Sequence, residues 1–198
     1  MTSLPKFPSS PLKHGPDHAE HELRKAYNCI IEAGVTYTLC ERNLPEINPA
    51  EATETYRNAF QLYQTGKRLA AERWARAAKH LARAFWHEAK IAYLEPRLEQ
   101  IPYLTGALDE EYHLHEREDS TVDLLTSLQD RLPQVTPSQL LPMKKYLTRA
   151  RHHLEKLSSS SHELLRAERI KVAYEYSRVI ECLSLGYEAE ASPQEGAA

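Results

Sequence analysis

The sequence predicts an all-α fold, and three observations carry that prediction. Only 6 glycines in 198 residues leave few positions for the tight turns of β-hairpins. No segment alternates apolar and polar residues with a period of two over β-branched positions. Apolar residues recur instead at three- and four-residue steps between capping signals, which is the helical period. Together these predict one helical bundle of five to seven helices over residues 17–187, a Pro-rich disordered arm at 1–16 and a flexible tail at 188–198.

The elements follow in order. Pro5, Pro8, Pro11 and Pro16 make the arm extended, and it holds no apolar stretch of the kind a secretory signal needs. Asp17, with Glu20 three residues on, reads as an N-cap opening a helix to about Arg42, with Leu23, Ala26, Tyr27, Ile30, Ala33 and Tyr37 on its apolar stripe. Asn48, Pro49 and Glu51 open a second helix carrying Ala52, Tyr56, Ala59, Phe60 and Tyr63. Thr65-Gly66 breaks or kinks the chain there, and residues 67–95 form the third helix, stopped by Pro96.

Residues 103–117 are weakly helical, and Ser120 with Asp123 is expected to cap a short helix to about Leu132. Thr136-Pro137-Ser138-Gln139 opens a helix to about Leu157, with Pro142 in its second turn. The serines at 158–161 read as a linker and cap. The final helix runs to about Leu185 on Leu165, Val172, Tyr176, Val179 and Leu183, and Gly186 is placed to end it.

Charge and composition remove several function classes. A net charge of -3 gives no global basic excess of the nucleic-acid-binding kind. No apolar run approaches the roughly 18–20 residues of a membrane span. The cysteines Cys29, Cys40 and Cys182 form no CxxC pair, which suits reduced thiols in a cytoplasmic protein. Scattered glycines exclude a phosphate-cradling loop, and there is no GxSxG elbow or HExxH signature. Glu110 and His113, with His115 close by, have the spacing of a carboxylate–histidine metal bundle. No second Glu-x-x-His accompanies them, so no metal or other cofactor is expected, and a carboxylate–histidine metal-binding bundle stands only as an alternative reading.

The third helix is the informative one. Ala71, Ala75, Ala78, Ala82 and Ala89 give it an apolar side that neighbouring helices can approach closely, with Trp74, Leu81 and Phe85 filling between layers. This marks it as the central helix. Arg73, Arg76, His80, Arg83, His87 and Lys90 line a second stripe at steps of three and four. From Lys67 to Arg97, eight Lys or Arg stand against Glu72, Glu88 and Glu95, a local net of +5. The balancing acid includes Asp109, Glu110, Glu111, Glu116, Glu118 and Asp119.

That stripe is either a solvated or internally docked helix face, or a contact surface for an acidic protein or a phosphate-bearing partner. Trp86 and Tyr93 at its edge could stack on bases if that partner were nucleic acid. A second basic patch lies at Lys144, Lys145, Arg149, Arg151, His152 and His153. Among acid–base candidates, His80 with Arg73, Arg76 and Arg83 around it stands out.

The stretch from Gly66 through Trp86, with its AxxxAxxAAxxxLxxA-like alanine pattern, resembles the HEPN family of helical bundles, as does the amphipathic final helix from Glu163 to Leu185. The resemblance covers about a third of the chain. It implies either a ribonuclease, including toxin–antitoxin components, or a non-catalytic regulatory module that pairs with a second copy. The ribonuclease members carry Arg, four to six residues, then His on a later helix. Here Arg73 and His80 have the six-residue gap but sit on the alanine-rich helix. Arg149 and Arg151 precede His152 and His153 at shorter gaps. The departure leaves binding, with no assigned catalytic residue, as the expected function.

Overall fold

Asp17 caps the first helix as expected: the Ala19 N–H donates to its Oδ1 at 3.0 Å. In the computed structural model, residues 17–39, 49–98, 111–132, 136–160 and 162–192 are described. They form six helices and no strand: α1 His18–Leu39, α2 Ala50–Gln64, α3 Arg68–Leu94, α4 Glu111–Arg131, α5 Pro137–Glu155 and α6 Glu163–Ala191. The expected N-terminal arm at 1–16, the Asn48 cap and Cys40 lie outside the described residues.

The break between α2 and α3 falls at Gly66, whose φ of +81° only glycine adopts without strain. Around it the Lys67 N–H reaches the Leu62 carbonyl at 3.0 Å and the Gly66 N–H reaches that of Tyr63 at 3.1 Å. This paired closure satisfies carbonyls that the helix end would otherwise leave open.

α3 is the central helix, packed against α1, α2 and α6, while α6 also carries α4 and α5. Its alanines at 71, 75, 78 and 82 are fully buried. The apolar stripe expected on α6 is buried throughout, from Leu165 to Leu183. Tyr56, Leu81, Val172, Tyr176 and Ile180 belong to the same buried apolar cluster. A fully buried Leu or Ile contributes about 1.5–3 kcal/mol by removing apolar surface from water. None of the described helices is long and apolar enough to cross a membrane.

Three expected boundaries move. Ser120 does not cap a helix: α4 runs through it from Glu111 to Arg131. One residue on, Thr121 turns its hydroxyl back to the Arg117 carbonyl at 2.6 Å, an internal bond that leaves the helix unbroken. Ser160 is not the cap of α6 either. His162 is, accepting from the Leu164 N–H on Nδ1 at 3.3 Å. Ser160 instead accepts from Arg169 Nε at 3.0 Å.

Gly186 does not end α6, which continues to Ala191. There α6 lies close against α3, since a Cβ at this position would lie 2.9 Å from Trp74 Cδ1 and 3.0 Å from Nε1. The glycine is required by the indole, not by a turn.

Candidate functional site

The polar residues of α3 divide into two ranks. The first faces α6 and α1. His80 and His87 are 8% and 9% exposed, and each joins its Nδ1 to a glutamate of α6: Glu175 and Glu168, both at 2.5 Å. The two histidines are seven residues apart, and so are the two glutamates. As the number rises on α3 it falls on α6, so the helices are antiparallel and the pairs repeat every two turns.

Glu168, 1% exposed, also receives Lys90 at 2.8 Å and Lys171 at 3.3 Å. Burial works against its charged form, but hydrogen bonds from His87 and Lys90 outweigh it and hold the carboxyl down at about 2. On the α1 side, Glu22 takes Lys79 at 2.7 Å and Arg76 at 4.0 Å, and Glu72 takes Arg76 at 2.7 Å. Burial opposes ionisation of Glu22 too. The Lys79 hydrogen bond and the charges of Lys79, Lys25 and Arg76 nevertheless lower its pKa.

The stripe read from the sequence is thus only partly a surface. His80 and His87 are buried, Arg76, Lys79 and Lys90 are matched within the chain, and Arg73 is half-buried near Gly186. Arg83 is the exposed member, with half of its side chain open and Glu175 no nearer than 3.9 Å. The matching carboxylates are Glu72 on the same helix, Glu22 on α1, and Glu168 and Glu175 on α6. Of the acidic 109–119 segment, residues 109 and 110 lie outside the described residues, and Glu118 approaches Arg166 of α6 at 3.9 Å. Sequence reasoning missed the α6 glutamates, although their seven-residue spacing repeats that of His80 and His87.

The second rank lies about a quarter-turn away and faces outward: Arg83, Trp86, Lys90 and Tyr93 on α3, at steps of three and four, then Arg97 in the turn that follows the helix. Here cations and aromatic rings alternate and touch. Lys90 Nζ lies 4.6 Å from the Trp86 ring centroid, and the Arg97 guanidinium 3.8 Å from that of Tyr93. Tyr93 is 45% exposed. The acids of this segment turn away, Glu95 to Arg169 and Glu88 to His153 and Tyr176.

At its Arg83 end this rank enters a cleft of about 300 Å³ between α1 and α6, floored by α3. Cys29 and Glu32 line it from α1, Ala82, Arg83, Trp86 and His87 from α3, and Glu175 from α6.

The second basic patch also divides. Arg149 donates to the Tyr176 hydroxyl at 3.2 Å, that hydroxyl donates to Glu88 at 2.9 Å, and His153 meets the same Glu88 oxygen at 3.3 Å. Burial first, then the Glu88 charge, push the Tyr176 phenol well above its ordinary value. Lys145 pairs with Glu51 at 2.5 Å, and Arg151 bonds Gln129. Arg149 and His153 therefore belong to an internal network, while Lys144, Lys145, Arg151 and His152 face outward. Glu110 lies outside the described residues, as do the side-chain surroundings of His113, while His115 is exposed on α4. Cys182 is buried and its thiol is pushed up to about 11 by that burial; Cys29 is half-buried at the cleft.

No family model, curated protein or solved structure matches the chain.

Proposed function

We propose that this chain is a non-enzymatic helical binding module that holds a phosphate-bearing partner, single-stranded nucleic acid, along the outward rank of α3. The observation that carries the reading is the alternation of Arg83, Trp86, Lys90, Tyr93 and Arg97, with its two cation–ring contacts. A single strand offers phosphates and flat bases in alternation, and cations interleaved with aromatic rings answer both. Net charge does not argue against this, because the -3 total averages a cationic rank with acids placed elsewhere. An acidic protein would satisfy the cations and leave the rings without a role. Reduced thiols favour a cytoplasmic setting, and the HEPN-like pattern adds a second copy of the chain as a further partner.

A second reading, an HEPN-like ribonuclease, draws on the His–Glu pairs. A carboxylate on Nδ1 fixes the ring and leaves Nε2 to act as a base, and among the described residues neither His80 nor His87 has a partner on Nε2.

One experiment addresses both: titration of a labelled single-stranded RNA over a salt series, with the RNA run on a gel afterwards. The expected result is binding that weakens with salt at a log–log slope of about -1.4, because Arg83 and Arg97 each release about 0.7 counterion from a single strand, while Lys90 is already matched by Glu168. The RNA is expected intact. Absence of binding at low salt removes the proposal, and cleavage lost in His80→Ala replaces it with the ribonuclease.

A further inference from the structure

The outward rank leads into the cleft, since Arg83 and Trp86 belong to both. Beyond them the cleft is lined by Cys29, Ala82, His87 and two carboxylates, Glu32 and Glu175, which face each other from opposite walls. Glu32 is exposed on the α1 wall, and no cation among the described residues pairs with it. Glu175 on the α6 wall gives one oxygen to His80 and leaves the other 3.9 Å from Arg83, beyond hydrogen-bond range.

His87 is 9% exposed, yet it borders the cleft. Its Nδ1 faces Glu168, a carboxylate that is ionised and can only accept, so the proton sits on Nδ1. Its Nε2 has no partner among the described residues. Among the described residues that line the cleft, Arg83 is the one Lys or Arg.

A fitting occupant therefore has an anionic link at Arg83, a flat body beside Trp86 and N–H donors on its far edge. The volume of about 300 Å³ accommodates a group of nucleobase size. We infer that the cleft receives one base of the bound strand and selects bases that carry an exocyclic amino group, with Glu32 as the selecting residue. This rests on the single-strand reading above.

Cytosine and uracil give the sharpest contrast because they are nearly isosteric. Cytosine turns an amino donor to the position where uracil turns a carbonyl oxygen, and carboxylates recognise that donor. A uracil in the same place would set an oxygen against a carboxylate, leaving both without a donor after displacing the water that had served them.

The test compares fluorescein-labelled cytidine and uridine dodecamers by fluorescence anisotropy at one salt concentration, on the full chain. The expected result is at least tenfold tighter binding of the cytidine strand, with a ratio that collapses towards one in Glu32→Gln, whose amide can serve either base. Glu32 is exposed, so this variant leaves the fold intact. Equal affinity for the two strands overturns the inference while leaving the single-strand reading in place. A cytidine preference that persists in Glu32→Gln overturns the assignment to this residue. Binding of neither strand removes both readings together.

Discussion

The two polar ranks of α3 share a helix, a spacing and much of their chemistry, but they meet different surroundings. Towards α6, His80 and His87 each find a glutamate in register, and the set of His87, Lys90 and Lys171 closes on the single carboxylate of Glu168. On the outward side, Arg83 has a glutamate no closer than 3.9 Å, and Lys90 and Arg97 lie over aromatic rings. Lys90 takes part in both. The comparison shows that a charged stripe on a helix does not announce its use. Its use depends on whether the helix opposite carries a complementary repeat at the same period.

If the inward rank is structural, removing its central carboxylate should have the largest effect on stability. Glu168→Ala leaves His87, Lys90 and Lys171 facing an empty, buried position. Breaking one partner out of a buried ionic cluster costs about 3–5 kcal/mol. Urea unfolding followed by circular dichroism should show a midpoint lowered accordingly, whereas Arg83→Ala should shift stability by less than about 0.5 kcal/mol. Equal effects at the two positions would dissolve the distinction between the ranks.

Acid should act on the same rank. The Glu168 carboxyl is held at about 2 in the folded chain, below its ordinary 4.5, by hydrogen bonds that overcome its burial. A group with a depressed folded pKa contributes stability above its unfolded value and loses it as the pH falls. The contribution is therefore complete above about pH 4.5 and drains away towards pH 2, with Glu22 adding in the same direction. At about 1.4 kcal/mol per unit the loss is a few kcal/mol. Denaturation profiles between pH 5 and pH 2 check this, and Glu168→Gln should flatten part of the slope.

Much of the inward rank was open to sequence reasoning, though not all of it. The alanines of α3 pointed to the central position, and the burial of Ala71, Ala75, Ala78 and Ala82 follows from their lack of bulk. The α6 stripe was equally legible, because Val172, Tyr176 and Val179 sit at helical steps and have no polar alternative. The neutralising partners were not. Glu168 and Glu175 read as ordinary polar positions until α6 is laid antiparallel on α3, and that register is a tertiary fact.

Gly186 failed for a related reason. A glycine near the end of an apolar stripe resembles a helix stop, and only the Trp74 ring beneath it reveals a packing requirement. The alternation of Trp86 and Tyr93 with the cations was visible in the sequence as residues at the stripe's edge. Which of those cations stayed outward depended again on α6.

The smallest effect belongs to the far end of the outward rank. Arg97 donates to the Tyr93 carbonyl at 2.8 Å and lies over the ring of the same residue, so these contacts stay within four residues of it, at the end of α3. Arg97→Gln should therefore leave the unfolding midpoint within about 0.5 kcal/mol of the parent chain. Its effect should show in binding, and in a particular way: one phosphate contact fewer, hence a log–log salt slope shallower by about 0.7. Tyr93→Ala makes the complementary change. It removes a stacking surface worth about 1–3 kcal/mol per base while keeping the cations, so affinity should fall with the salt slope unaltered. A strand held by charge alone would respond to Arg97→Gln and ignore Tyr93→Ala. Measuring the two slopes side by side therefore separates a rank that reads bases and phosphates together from one that only attracts anions.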